Sequence, residues 1–149
     1  MAKRTALEVR ISHDGIHETL AAFRALPKDA SNELRDAAIE LSRILAGEAK
    51  TSGRDEGGQA AAVAATVRAA RDRVPVVVAG GLKKLGRNKK PAYKLLFGSE
   101  FGATEYTQYQ PHLGRGSYWF FRTIEDNQQR IMEEWQEAAD AIVRKFGGI

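Results

Sequence analysis

The first periodic stretch of the chain is ALEVRIS, residues 6–12, in which Leu7, Val9 and Ile11 alternate with Glu8, Arg10 and Ser12. Successive side chains of a strand point to opposite faces, so this pattern predicts a strand with one buried side. Beyond it the period lengthens. Ile16, Leu20 and Phe23 recur at helical spacing, with Asp14 placed to cap the first turn. Leu26-Pro27 stops that helix, because the residue before a proline is pushed out of the α region. A longer helix follows, capped by Asp29 or Ser31, with Leu34, Ala38, Leu41 and Leu45 on one face and Glu33, Asp36, Glu40 and Arg43 elsewhere on the wheel. TSGRDEGG, residues 51–58, predicts a flexible, polar break after it.

Residues 59–79 carry mixed signals: their alanines favour helix, TVRAAR also reads as extended, and the valines of 74–79 favour strand. The pattern is read as a helical turn at 59–64, then a hairpin of 66–71 and 74–79 that turns at Asp72-Arg73. Pro75 then falls at a sheet edge or a strand start. GLKKLGRNKKPAY packs two glycines, a proline and five cations into 13 residues and predicts a basic, mobile loop over 80–93. At the C-terminal end, Phe121, Ile124, Gln128, Ile131, Trp135, Ala138, Ile142 and Phe146 fall three or four residues apart, and Gly147-Gly148 ends the series. One long amphipathic helix is predicted there, from about residue 118 to 146. The sum is a single α+β domain over residues 1–149. A small antiparallel sheet, the N-terminal strand plus the β-hairpin, is flanked by a long central helix and a long C-terminal helix.

A chain of 149 residues is long enough to bury one real core. It has no cysteine, which excludes disulfides, thiolate metal sites and a cysteine nucleophile. MAKRTALEVRIS lacks the apolar stretch of a signal peptide, and no window approaches the roughly 18 apolar residues of a membrane span. A soluble protein without a membrane partner is expected. The net charge of +4 is unevenly spread: residues 51–94 carry ten cations against three anions, whereas residues 95–149 carry five against eight. Such asymmetry points to a polyanion or an acidic protein surface as neighbour.

Candidate chemistry is thin. His13 and His17 have the spacing of paired metal ligands on one helix, but the strand-to-helix break at Asp14 falls between them. GLKKLG, residues 81–86, has the glycine spacing of a phosphate-binding loop but is followed by Arg87-Asn88, where that motif needs lysine and a hydroxyl. No serine, histidine and aspartate stand in a recognisable triad context. Glu100, between Phe97-Gly98 and Phe101-Gly102, is an acid in an apolar, glycine-rich setting, and a structural hydrogen bond or an ion pair to a neighbouring chain is its expected role. No enzyme activity, metal or cofactor is expected.

Residues 97–121 concentrate eight aromatics among glycines and a proline, with only three charges. Rings so placed cannot all enter the core of a small domain, and exposed apolar patches mark interfaces. Phe97, Phe101, Tyr106, Tyr109, Tyr118, Trp119 and Phe120 are therefore candidate assembly contacts. Against this, two or three of Phe97, Phe101, Tyr118 and Phe121 are expected to close one end of the core. Lys83, Lys84, Arg87, Lys89, Lys90 and Lys94 are candidates for contact with nucleic-acid phosphates or an acidic protein partner.

The order of a long helix, a glycine-marked break, a β-hairpin, F-G-x-E-F-G and then P-H-x-G-R-x-x-Y-W-F leading into a terminal helix resembles the small neck proteins of long-tailed bacteriophages. This is the tail-completion or head–tail connector family, related in fold to tail terminators. The residues that carry the resemblance are Phe97, Gly98, Glu100, Phe101 and Gly102, then Pro111, His112, Gly114, Arg115, Tyr118, Trp119 and Phe120. Where the family commonly has a proline at the junction with the helix, this chain has Arg122-Thr123. The resemblance implies a structural virion protein, assembled in the host cytoplasm and located at the head–tail junction. It would form a homo-oligomeric ring of sixfold or related symmetry between head-closure or connector proteins and tail-tube or terminator proteins, with genomic DNA passing through its lumen. It also places His112 and Arg115 with the aromatic residues and Glu100 at the assembly interface. A tail terminator ring and a nonspecific nucleic-acid-binding accessory protein are the alternatives.

Overall fold

The computed structural model describes residues 6–81, 84–85, 90–91 and 119–147. In chain order these form β1 (Ala6–Arg10), α1 (Ile16–Arg24), α2 (Lys28–Glu56), α3 (Gly58–Ala64), β2 (Arg68–Ala70), β3 (Val76–Gly80), β4 (Lys84–Leu85), β5 (Lys90–Pro91) and α4 (Trp119–Gly147). The expected α+β architecture is present: a three-stranded antiparallel sheet with long central and C-terminal helices.

The sheet order is β1-β3-β2. The predicted hairpin is β2–β3, with Arg68 opposite Val78 and Ala70 opposite Val76, and the N-terminal strand joins its other side, with Val9 opposite Val77. β3 is thus the central strand. Its unbroken run of valines follows from that position, since Val76 and Val77 are both buried although their side chains leave opposite faces. Pro75 sits just before this central strand, where a missing N–H breaks no ladder bond, and its carbonyl accepts the Ile11 N–H at 3.0 Å.

α2 is the hub, packing on α3, α4, β2 and β3. Leu34, Ala38, Leu41 and Leu45 form its buried face as the periodicity required, joined by Ala30, Ser42, Ala46, Ala49 and Gly53. α4 runs antiparallel to it. Lys145 Nζ donates to Glu33 Oε1 at 2.6 Å, Arg130 Nη2 to Glu48 Oε1 at 2.6 Å, and Ser52 Oγ to the Trp119 carbonyl at 3.2 Å. The two ion pairs are separated by 15 residues on each helix (33 to 48, 130 to 145), about 22 Å of rise on both, so the helices stay in register along that length.

Several local expectations are corrected. Residues 51–56 are helical, not a break: α2 continues through TSGRDE and ends only at Gly57. Neither Asp14 nor Asp29 nor Ser31 caps a helix through its side chain. Gly15, at φ 89°, occupies the N-cap of α1, and Pro27, with φ −55° suited to a helix entry, occupies that of α2. In place of an unbroken loop, the basic segment contains a two-stranded antiparallel ladder, with Lys84 opposite Pro91 and Leu85 opposite Lys90. On α4 the buried face takes Met132 and Ala139, while Gln128 is exposed.

Buried hydroxyls complete the hydrogen bonding of β3 at both ends. Val76 N–H donates to Ser42 Oγ at 2.9 Å, and Gly80 N–H to Thr66 Oγ1 at 2.9 Å. Each hydroxyl also donates within its own element or turn, Ser42 to the Ala38 carbonyl and Thr66 to the Val63 carbonyl. The short β2 is therefore supplemented at either end by a side chain, and no N–H of the central strand at these two positions is left unpaired.

Candidate functional site

Of the candidate interface residues, Phe97, Glu100, Phe101, Tyr106, Tyr109, His112, Arg115 and Tyr118 lie outside the described residues, as do Lys83, Arg87, Lys89 and Lys94 of the basic set. Lys84 and Lys90 are placed on the paired strands β4 and β5. Trp119 and Phe120 are corrected: both are buried within the domain, 3% and 0% exposed. The cause is their position in the first turn of α4, opposite the C-terminal end of α2. There Gly53 has no side chain, and the Trp119 ring and the Ala64 methyl occupy the room a Cβ would need. Thr123 Oγ1 donates to the Trp119 carbonyl at 2.8 Å, so Arg122-Thr123 belong to that first turn.

An open groove of about 720 Å³ lies between the β1–α1 connection and the outer part of α4. Asp14, Glu125 and Glu133 contribute carboxylates to it, Gln128, Gln129 and Gln136 contribute amides, and the buried Met132 adds apolar surface. The Gln136 amide is held by Thr19 Oγ1 at 3.1 Å and by Asp140 at 2.9 Å, which ties this wall of the groove to α1.

His13 also lines the groove. Its ring meets the Trp135 ring edge-on at 5.8 Å, and its Nδ1–H donates to the Asp14 carbonyl. The other ring nitrogen, Nε2, is buried without a hydrogen-bond partner among the described residues. Trp135 is fixed from the other side, its indole N–H donating to the Arg73 carbonyl at 2.7 Å in the β2–β3 turn. Next to Arg73, Asp72 pairs with Arg10 of β1. His17, exposed on α1, does not join His13 at the groove.

Among the described residues no group of three or more histidines or acids is arranged to hold a metal ion. The groove offers hydrogen-bond acceptors and net negative charge, chemistry suited to holding a polar or cationic group. Sequence reasoning missed it because its walls come from residues 12–14 and 125–136, which share no motif and are joined only by the fold. No helix among the described residues is long and apolar enough to cross a membrane. No family model matches the chain, and neither does any curated protein or solved structure.

Proposed function

We propose that this chain is a structural subunit of the neck of a long-tailed phage virion, assembling into a ring that joins the filled head to the tail and surrounds the DNA passage. The observation that carries the reading is the junction of F-G-x-E-F-G and P-H-x-G-R-x-x-Y-W-F with the terminal helix, on a small antiparallel sheet flanked by two long helices. The motif's Trp119 and Phe120 are the first two described residues of α4, and both are core residues. The preceding residues of the motif are thereby joined by the chain to the core, an anchorage that suits an assembly segment.

A ring contact is heterologous, so two different patches of each subunit must complement one another. In this reading Phe97, Phe101, Tyr106, Tyr109 and Tyr118, with Glu100, His112 and Arg115, belong to one of them. The test is electron microscopy of particles from a phage with a nonsense mutation in this gene. Filled heads beside separate tails of normal length are expected. Tails of uncontrolled length would reassign the protein as the tail terminator, and normal infectious particles would sink both assignments.

A further inference from the structure

A second open cavity, of about 440 Å³, lies where the C-terminal half of α2 meets the start of β2 and the end of β3. Lys50 of α2 and Arg68 of β2 line it together with Thr66, Gly80 and Gly81. No acidic residue is among its described lining. Among the described residues, Arg10, Arg43, Arg71, Arg130 and Lys145 each have a carboxylate within ion-pair distance, and the other cations do not. Lys50 and Arg68 have none among the described residues. Two cations share one concavity with no acid among its described lining.

Arg68 is also held in place. Its Nη1 donates to the Thr66 carbonyl at 2.8 Å and to the Gly80 carbonyl at 3.3 Å. A guanidinium carries five N–H donors in a rigid plane, so fixing one nitrogen on backbone carbonyls orients the rest without satisfying them. An oriented guanidinium beside a flexible ammonium is a combination that suits a tetrahedral oxyanion, the fork giving geometry and the lysine a point charge. The sequence that follows is basic as well. Gly81 is the first residue after β3, and from there to position 94 the chain carries six cations and no acid, including Lys84 and Lys90 on β4 and β5.

We propose that Lys50 and Arg68 form a phosphate-binding cup that takes a backbone phosphate of nucleic acid. The proposal deepens the neck reading, on which it rests, by assigning a point of contact with the passing DNA to residues outside the basic segment that the sequence singled out. Polymer phosphate is favoured over a free anion because the chain that leaves the cup at Gly81 carries six further cations in sequence by position 94, a number that matches a chain of phosphates rather than one.

The experiment is fluorescence anisotropy of a labelled DNA duplex with the full-length protein across about 50–200 mM salt. Lys50→Gln and Arg68→Gln are compared with Lys28→Gln, a control on the same helix about 33 Å away from Lys50. Each cup variant should weaken binding several-fold and lower the salt slope by about one, while the control leaves both unchanged. Because Arg68 also holds backbone carbonyls, its variant is read only with native circular dichroism, and Lys50→Gln stands as the independent arm. Titration with inorganic phosphate, followed by the thermal midpoint, separates the sources. A phosphate-dependent shift lost in Lys50→Gln, without DNA binding, would overturn the nucleic-acid assignment in favour of a free anion. Equal binding by the wild type and both cup variants, or none to either ligand, would overturn the cup itself. None of these outcomes decides the neck reading, which stands or falls on particle morphology.

Discussion

A serine on the inner face of a helix ordinarily weakens it, because the hydroxyl bonds back to a carbonyl one turn earlier and adds little apolar area. Ser42 makes that bond to Ala38 at 2.8 Å, yet its oxygen is also the acceptor for the Val76 N–H at the head of the central strand. Ser42→Ala keeps the helix and removes the acceptor, leaving a buried N–H unpaired. A loss of about 1–3 kcal/mol in urea unfolding is expected. An unchanged midpoint would mean the strand finds another partner. Asp72 supplies the pH-dependent counterpart. Burial works against its charge, but the Arg10 hydrogen bond, the Arg73 N–H at 2.6 Å and the two nearby guanidinium charges outweigh it, so the carboxyl titrates below its ordinary value. The folded state therefore holds this proton less tightly than the unfolded chain does. The stabilisation is fully present above the unfolded value of about 3.9 and is lost as pH falls through the folded one. Urea midpoints measured down an acid series should flatten in Asp72→Asn relative to the wild type. The difference should shrink in high salt, because the pair is partly solvated.

At the scale of elements, α2 carries two interior glycines with opposite meanings. Gly47 is exposed, and a methyl there would meet nothing within 4 Å. At Gly53 the same methyl would lie 2.8 Å from Ala64 Cβ and 2.9 Å from Trp119 Cζ3. Gly47→Ala should raise stability by about 0.5–1 kcal/mol through helix propensity, and Gly53→Ala should lower it by about 1–3 kcal/mol through overpacking. Thermal midpoints moving in opposite directions would establish the contrast, whereas stabilisation by both would show the junction of α2, α3 and α4 to be loose. The same glycine explains where the sequence was legible and where it was not. The strand period of β1 and the apolar faces of α2 and α4 are local and emerge from spacing alone. TSGRDE reads as a break because glycine and polar residues suppress the helical signal. What keeps it helical is the arrival of Trp119 and Ala64 against Gly53, a contact made from 66 and 11 residues away. Asp14, Asp29 and Ser31 misled for a similar reason, since capping chemistry marks permitted starts and the actual ones were taken by Gly15 and Pro27.

For the whole molecule, the architecture was open to inference because few layers can cover one small sheet. The concave surfaces were not, since each is assembled from segments with no sequence relation: Lys50 with Arg68 and Gly81, His13 with Glu125 and Gln136. Trp119 and Phe120 were misplaced by composition. They stand at the end of an aromatic run and look like surface rings, but their helical phase puts them inside. The antiparallel pairing of α2 with α4 has a further consequence, which concerns time. Its cross-links join residues 67, 82 and 112 positions apart, and the β1–β3 ladder joins Val9 to Val77. The α2–α3 packing and the β2–β3 hairpin, by contrast, are short-range. Loop closure has to be met before such distant contacts reward it, so these pairings form later and more slowly than the local ones. While the chain is being made, the part of α2 that α4 covers stays uncovered until α4 leaves the ribosome, and it is open to other chains for that interval.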